Sequence, residues 1–285
     1  MSECDDELML SPEALEALKA FYTERDAHAE KFAQLQAAAE ELRAGRETYI
    51  PLSMDAFAED WNESQFWYTD EVATTIAKQL LDGATNETGI AVISVPSVFI
   101  ALKNLMATAP ADAPKPKLIL LEHDNRFAIF PEFIFYDYAQ PFKLPSSLKG
   151  TFDRFACDPP FLAEDCQTKT ALTLRWLSKP AKFTPHSDGR FTPDIKLVMC
   201  TGERMERLVH KLHASIGVRT TNFEPTHARG LSNEFYCYAN FEAEGVWKFV
   251  AAQPSAADVA GAVTGGEGDT GKTGKISTSD IASAA

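Results

Sequence analysis

The turn Asp158-Pro159-Pro160-Phe161 holds the residue types in this sequence that are best suited to chemistry, and it directly follows the apolar run 152–157. Two consecutive prolines stiffen a turn and remove two backbone N–H donors. A rim of acceptors remains, made by the Asp158 carboxylate and the carbonyls of Asp158 and Pro159. Such a rim suits a substrate amino group whose lone pair must face an electrophile, while Phe161 could stack on a flat acceptor or pack against a cationic one. A plain turn is the alternative interpretation.

The segments around this turn alternate between strand-like and helical patterns. The strand-like runs are residues 90–95, 118–122, 133–136, 152–157, 195–200, 218–223 and 235–241. The helical segments are residues 69–81, 97–106, 164–177 and 203–214. This alternation predicts an α/β fold with a mainly parallel sheet covered by helices on both faces, a three-layer sandwich. Ligands of such sheets bind at the carboxyl ends of the strands, which is where the turn lies.

The turn and several longer blocks carry a family resemblance. An [Asp/Asn]-Pro-Pro-aromatic turn after the fourth strand resembles the catalytic motif of class I methyltransferases that act on amino nitrogens. More closely, the chain resembles the eukaryotic lysine methyltransferases of translation elongation factor 1-alpha, a family formerly described as adenine methyltransferases. The matching blocks are residues 65–71 (QFWYTDE), 94–98 (SVPSV), 121–127 (LEHDNRF), 133–138 (FIFYDY), 158–161, 200–202 and 223–241 (FEPTHARGLSNEFYCYANF).

The resemblance implies a Rossmann-like, seven-stranded, mainly parallel sheet whose last strand is antiparallel. It also implies methyl transfer from S-adenosylmethionine to a lysine of elongation factor 1-alpha, with Asp158, Pro159, Pro160 and Phe161 as the catalytic turn. The segment Gln65-Phe66-Trp67-Tyr68-Thr69 is similar to the element that packs on the methionine end of the cofactor in this superfamily.

The loop after the first strand, Ser94-Val95-Pro96-Ser97, lacks the glycines that this loop carries in the general fold. The resembled family has the same proline-serine form, so Ser94, Pro96 and Ser97 remain candidate cofactor contacts.

Acidic residues end the next two strand-like runs. An acid at the end of the second strand binds ribose hydroxyls in the general fold, and Glu122 is the first candidate and Asp124 the second. Asp137, followed by Tyr138, is placed to accept a hydrogen bond from the adenine amino group of the cofactor. Solvated surface acids, and for Asp137 a turn-starting residue before Pro141, are the alternatives.

Residues 223–241 are interpreted as two strands joined by a polar turn. Together with Phe161, the residues Asn233, Glu234 and Phe235 could line a substrate entrance, and a plain hairpin is an equal alternative. His210 and His213 lie three residues apart on a helix, but no acidic or cysteine ligand stands beside them. Two ligands do not make a zinc site, so no metal is predicted.

The amino-acid composition indicates which class of binding partner and which cellular compartment to expect. The net charge is −14, and no dense Lys/Arg cluster is present, which disfavours nucleic acid and favours a basic partner. No run of about 18 apolar residues occurs, so no membrane span is expected. The five cysteines are scattered without a C-x-x-C pair, which indicates a reducing compartment, the cytosol or the nucleus, and the cytoplasm is predicted.

The chain is expected to have three parts. Residues 1–45 form an N-terminal helical extension, residues 46–253 the methyltransferase domain with a surface insertion at 179–194, and residues 254–285 a disordered tail. The extension carries an apolar stripe that could dock on the domain or stay partly free, and a recognition arm for a partner is the alternative. The stripe consists of Leu18, Phe21, Phe32, Leu35, Ala39 and Leu42.

Two rival functions remain open. The same turn could methylate adenine in DNA or RNA, and the absence of a basic patch argues against this. A non-catalytic, methyltransferase-like binding subunit is the other rival, and the intact Asp158 turn argues against it.

Overall fold

The structure, a computed structural model, describes residues 11–44, 51–57, 59, 65–185, 191–230 and 234–250. The helices are α1 (Pro12–Arg43), α2 (Asp70–Leu81), α3 (Pro96–Ala107), α4 (Glu164–Leu177) and α5 (Glu206–Leu212). The strands are β1 (Gly89–Ile93), β2 (Lys117–Glu122), β3 (Phe133–Phe135), β4 (Arg154–Cys157), β5 (Phe183–Pro185), β6 (Phe191–Pro193), β7 (Lys196–Gly202), β8 (Arg219–Thr220) and β9 (Phe235–Ala239).

Seven strands form one sheet in the order β3-β2-β1-β4-β7-β9-β8. The first five pair in parallel, and β9 runs antiparallel to both of its neighbours, β7 and β8. The predicted seven-stranded, mainly parallel sheet with its last strand antiparallel is therefore confirmed. The strand order reverses between β1 and β4, and ligands of doubly wound sheets bind at the carboxyl ends of strands at such a point.

Alternation along the central strands builds the three layers. In β1, Ile90 and Val92 belong to one buried cluster, with Leu80 of α2 and Leu102 of α3. The alternate residues Ala91 and Ile93 belong to the cluster on the opposite face, which includes Leu174 of α4 and Val209 of α5. Each such fully buried aliphatic side chain contributes about 1.5–3 kcal/mol relative to an exposed one. The sandwich is thus set by the period of two that strands impose on their side chains.

The long helix α1 is only partly packed. Leu35 and Ala39 are buried against the domain, and Phe32 packs at the edge of the same cluster. Leu18 and Phe21, expected in one stripe with them, are 38% and 60% exposed. A helix of 32 residues is about 48 Å long, so its first half extends past the surface that its second half covers. The side chain of Leu42 lies outside the described part.

The interpretation of residues 223–241 as two strands is wrong. The strand preceding β9 is β8, which already ends at Thr220, and the described residues between them form a loop. Polar residues and two glycine or proline positions interrupt the apolar alternation there, so no ladder forms. The segment expected as a surface insertion contains the two-stranded antiparallel sheet β5–β6, and the β5 residues are exposed. The tail 254–285 lies outside the described residues.

Within the described ranges, no helix is both long and apolar enough to cross a membrane. In the same part of the chain, no three histidine, cysteine or acidic side chains converge as metal ligands. His210 contacts Thr220, with Nε2 3.0 Å from the hydroxyl oxygen, and His213 is buried.

Candidate active site

The Asp158 turn lies at the point where the strand order reverses. Asp158 directly follows β4, and its backbone N–H donates to the carbonyl of Ile93 at 3.0 Å, which ties the turn to the end of β1. Pro159 is buried and Pro160 partly buried. The Phe161 ring is 37% exposed and meets the ring of Tyr138 edge to face at 5.6 Å. The turn is therefore fixed at its base and presents an aromatic ring at its outer end.

A glycine at the end of β7 allows the turn to fit. A Cβ at Gly202 would lie 2.8 Å from a terminal carbon of Leu162, the residue after Phe161. Any larger side chain at this position would push on the residue that follows the turn.

The hydroxyl of Tyr68 donates a hydrogen bond of 2.6 Å to Oδ2 of Asp158. Burial, then the neighbouring Asp158 charge, raise the pKa of Tyr68 well above its ordinary value, so the hydroxyl keeps its proton and stays a donor. The backbone N–H of Tyr68 donates to the Ser97 hydroxyl at 3.2 Å, which joins the segment before α2 to the loop after β1. One oxygen of Asp158 is thus held, while Oδ1 is left for another donor.

Two carboxyl groups at this edge of the sheet have raised pKa values. Burial raises the pKa of Asp158 to about 7, with the nearby Glu122 carboxylate adding to the effect and the Tyr68 hydrogen bond opposing it. Burial likewise raises the pKa of Glu122 to about 7, although its Oε1 accepts from the backbone of His123 at 2.8 Å and of Asp124 at 3.2 Å. Buried carboxyl groups whose negative charge is disfavoured become easier to ionise beside a positively charged ligand. The carboxyl groups of Asp158 and Glu122 therefore fit a sulfonium cofactor, whose positive charge they can balance and whose ribose hydroxyls can donate to them.

Asp124 is less available than Glu122. Its Oδ1 caps the backbone N–H of Arg126 at 2.8 Å, and its Oδ2 accepts from Gln65 at 3.2 Å and pairs with the Arg126 guanidinium at 2.6 Å. The Gln65 side-chain oxygen accepts from the same guanidinium at 3.0 Å. The structure thus joins Gln65 to the end of β2 and engages both oxygens of Asp124, and the ribose contact of Glu122 stays a prediction.

The loop after β1 reaches its shape without glycine. Ser94 has φ of +54°, the left-handed conformation that glycine usually supplies, and its N–H donates to the Leu121 carbonyl at 2.9 Å. Pro96 then begins α3, where its missing N–H is not needed. The sequence departs from the glycine-rich form, yet the backbone adopts the turn that the glycines would favour.

The side chains of Phe66, Trp67 and Thr69 in the 65–69 segment make different contacts within the protein. The Trp67 indole is buried and donates to the Phe57 carbonyl at 2.9 Å, so its donor is already used inside the protein. Thr69 caps α2, accepting from Val72. Phe66 is partly buried and lies edge to face with His227, ring centroids 6.4 Å apart.

Asp137 lies two residues beyond the end of β3, not at it, and its carboxylate is engaged in its own turn. The Ala139 backbone donates to Oδ1 at 2.8 Å and the Gln140 side chain to Oδ2 at 3.0 Å. The hydrogen bond from Gln140 is the main cause of the lowered pKa of Asp137. This geometry is that of the turn-starting alternative, and the adenine contact stays a prediction.

The loop between β8 and β9 forms a strap over the 65–69 segment, and we call residues 224–230 the strap. The Thr69 N–H donates to the Thr226 carbonyl at 3.1 Å, and the Ala228 N–H donates to the Trp67 carbonyl at 2.8 Å. Between these bonds, the His227 ring lies 4.7 Å from the Tyr68 ring. Burial lowers the pKa of His227 to about 4, so the imidazole is neutral at physiological pH and can pack as an aromatic ring.

His227 also connects the predicted substrate entrance to the site. Phe235 packs edge to face on the His227 ring at 4.9 Å. Glu234 is exposed, and its carbonyl accepts from the Glu203 backbone at 3.0 Å. Asn233 lies outside the described residues. Neither His227 nor its contact with Tyr68 was anticipated from the sequence, although His227 stands within the block that carries the resemblance.

Known proteins resemble the chain over most of its length. A model of the family described as "Probable N6-adenine methyltransferase" matches residues 59–243. Protein-lysine N-methyltransferase EFM5 of Saccharomyces cerevisiae is 40% identical over 84% of this chain and 94% of its own length. EEF1A lysine methyltransferase 1 of Homo sapiens is 32% identical over 84% of this chain and 95% of its own. A solved SAM dependent methyltransferase from Aquifex aeolicus aligns with a TM-score of 0.36 at 10% identity, covering 67% of this chain and 98% of that one. The chain therefore belongs to this methyltransferase family, whose description names adenine although both relatives are named as lysine methyltransferases.

Proposed function

We propose that the chain transfers a methyl group from S-adenosylmethionine to the side-chain amine of a lysine on translation elongation factor 1-alpha. The observation that carries this proposal is the Asp158 turn, held by Tyr68 at the strand-order reversal, in a chain whose relatives are named for lysine methylation. Four described cysteines are free and buried, which supports the cytoplasm as the compartment.

The cofactor would be held at the ends of β1 and β2. Glu122 would accept from the ribose hydroxyls, the Ser94 loop would meet the methionine part, and Gln65 and Thr69 would close the site from the segment before α2. When bound, the cofactor supplies an electrophilic methyl group on a positively charged sulfur. The carboxylates of Glu122 and Asp158 would balance that charge, since the Glu122 charge already helps to raise the pKa of Asp158.

The residues of the turn would place and prepare the acceptor amine. Tyr68 fixes Oδ2 of Asp158, so Oδ1 and the Pro159 carbonyl are the acceptors left for the two hydrogens of a neutral amine. The lone pair of the amine then points away from these acceptors. A lysine has a reference pKa near 10.4, so it must lose a proton before it can attack. The partly exposed Phe161 ring is suited to pack on the aliphatic stem of the lysine, and alignment of two reactants supplies most of the rate gain.

The rival acceptor is adenine, which the family description names. The net charge of −14 disfavours a phosphate backbone as a partner, and favours a basic protein. The non-catalytic alternative is disfavoured because the Asp158 turn is intact and Tyr68 holds its carboxylate by a hydrogen bond.

The test is to incubate the purified chain with methyl-labelled cofactor and a cell lysate. Label should survive nuclease, vanish with protease, and be found on a lysine of elongation factor 1-alpha. Turnover should rise between about pH 7 and 9, because a lysine loses its proton as pH increases while the adenine amino group is already neutral. Loss of the label on nuclease treatment would establish the adenine rival, and no label with intact cofactor binding would establish the non-catalytic one.

A further inference from the structure

A cavity is lined by Tyr68, the residue that donates to Asp158. Its volume is about 350 Å³, and Asp55, Glu59, Trp67, Tyr68, Asp70 and Arg229 are among its lining residues. None of the strand-end residues Ser94, Glu122 and Asp158 is among the lining residues. Tyr68 and Thr69 of this lining also belong to the proposed site, but the proposed chemistry assigns no role to Glu59.

Glu59 is the unusual group in this cavity. Its Oε1 accepts from the Trp67 backbone N–H at 3.0 Å, and its side chain is only 2% exposed. Its Oε2 is buried and accepts no hydrogen bond from the described part of the chain. The Arg229 Nε lies 3.9 Å away, beyond hydrogen-bond distance, on a side chain that is 56% exposed. A buried carboxylate oxygen without a donor is costly, so this arrangement favours a ligand that brings one.

The lining defines the charge of that ligand. Three carboxylates, those of Asp55, Glu59 and Asp70, line the cavity against two cationic side chains. Trp67 and Tyr68 also line it, and aromatic rings attract cations. An N–H donor with a positive charge satisfies both features, whereas an anion would face the buried carboxylate.

We infer that Glu59 is the anchor of a cation-binding pocket that takes a primary ammonium or a guanidinium group. Two sources of this chemistry meet at the site under the proposed function, on which the inference rests. One is the α-ammonium group of the cofactor's methionine part, and the other is a basic side chain of the acceptor protein. Tyr68 joins the pocket to Asp158, so either source would bind next to the reacting groups.

The test uses Glu59→Gln, which keeps an acceptor for the Trp67 N–H and removes the charge. Calorimetry gives the Kd of S-adenosylmethionine, and labelled methyl transfer gives the KM of the acceptor protein. One of these two constants should rise about tenfold or more, since bonds between charged groups are among the strong ones. A rise in Kd identifies the cofactor as the source, and a rise in KM alone identifies the protein.

Two matched variants separate a ligand pocket from an internal ion pair. Glu71→Gln removes the same charge from an exposed position on α2 and should leave both constants unchanged. Arg229→Gln removes the cation whose Nε lies 3.9 Å from Glu59, so it should leave the affected constant unchanged or lower it. A loss with Arg229→Gln equal to that with Glu59→Gln would overturn the inference, because Glu59 would then serve only Arg229.

The wild-type chain provides an arm that does not depend on how the variants fold. Methylguanidinium at millimolar concentration should compete for the pocket. It should therefore raise the constant that Glu59→Gln raises, either the Kd of S-adenosylmethionine or the KM of the acceptor protein. Unchanged constants in every arm would also overturn the inference. A wild-type chain that binds cofactor but labels no protein would instead refute the proposed function, and the cofactor arm would still decide the pocket.

Discussion

Asp158 is the residue on which the proposed chemistry depends most directly. Tyr68 donates to one of its oxygens, and the proposed function assigns the other to the acceptor amine. Asp158→Ala should lower turnover by about a hundredfold or more. S-adenosylmethionine should still bind to this variant, but with a higher Kd. Initial rates and calorimetry measure the two effects separately. Near-normal turnover in this variant would refute the role of Asp158.

His227 tests whether the ring contact behind Tyr68 matters. The imidazole is neutral and packs on Tyr68, so an aromatic ring without nitrogen should replace it. His227→Phe should keep most of the turnover, whereas His227→Ala should lose about tenfold in kcat with little change in the KM of the cofactor. If the two variants are equally impaired, the imidazole nitrogens themselves take part.

Glu122 makes the stability of the cofactor-free protein depend on pH. Burial raises its pKa from 4.5 to about 7, so between these values the unfolded chain releases a proton that the folded chain retains. Stability should therefore fall as pH rises from about 4.5 to 7 and then level off. Glu122→Gln should lessen this fall and raise the Tm at pH 8, because the charge that must be buried is gone.

Melting curves of both proteins from pH 5 to 8 measure this difference, which should be about 1–3 kcal/mol at pH 8. Glu122→Gln should also bind S-adenosylmethionine more weakly than the wild type. A variant that is less stable than the wild type at pH 8 would contradict the buried charge as the cause.

At the residue scale, the sequence predicted which acidic side chains lie at the end of a strand, but not which residues they form hydrogen bonds with. Asp158 and Glu122 follow apolar runs, and both lie at the carboxyl edge of the sheet as expected. The hydrogen bond from Tyr68 to Asp158 joins residues 90 positions apart in the chain. No sequence pattern predicts the hydrogen bond from Trp67 to Glu59. Such contacts depend on how segments cross in space, which local periodicity does not encode.

At the scale of elements, α1 combines a packed half with an exposed one. The residues that pack are Leu35, Ala38 and Ala39 with Phe32 beside them, whereas Leu18 and Phe21 are exposed. Deleting residues 1–29 should therefore change Tm by less than about 3 °C, and deleting residues 1–43 should lower it by about 5 °C or more.

Thermal melts of the two truncated proteins give this comparison. An equal loss in both would show that the first half of α1 also stabilises the domain. An unchanged Tm with a raised KM for the acceptor protein in the shorter deletion would support the recognition arm.

Elements with regular periodicity were predictable, and the irregular ones were not. The strands of the central sheet and the helices α2 to α4 were placed within a few residues, because their apolar patterns are set by burial on one or two faces. The strap lies within residues 223–241, which were interpreted as two strands, although Pro225 and Gly230 disfavour a strand there. Its hydrogen bonds go instead to residues 67 and 69, which lie far away in the chain.

At the scale of the whole molecule, the strand order decides where the site is. The reversal between β1 and β4 opens a crevice at the carboxyl edge, and the Asp158 turn and Glu122 lie on the two sides of it. The order itself could be anticipated only through the family resemblance, because alternating strands and helices are compatible with several parallel topologies.

The net charge of −14 gives the last prediction. An acidic enzyme attracts a basic protein over distances that salt screens, with a Debye length of about 10 Å at 0.1 M. Raising the salt from about 50 to 300 mM should therefore raise the KM of the acceptor protein several-fold. The Kd of S-adenosylmethionine should change less, because Glu122, its proposed ribose partner, is buried. An acceptor with a phosphate backbone is repelled by the same charge, so its KM should fall as salt increases. Measuring both constants across this range thus distinguishes a basic protein from a nucleic acid, independently of which residue receives the methyl group.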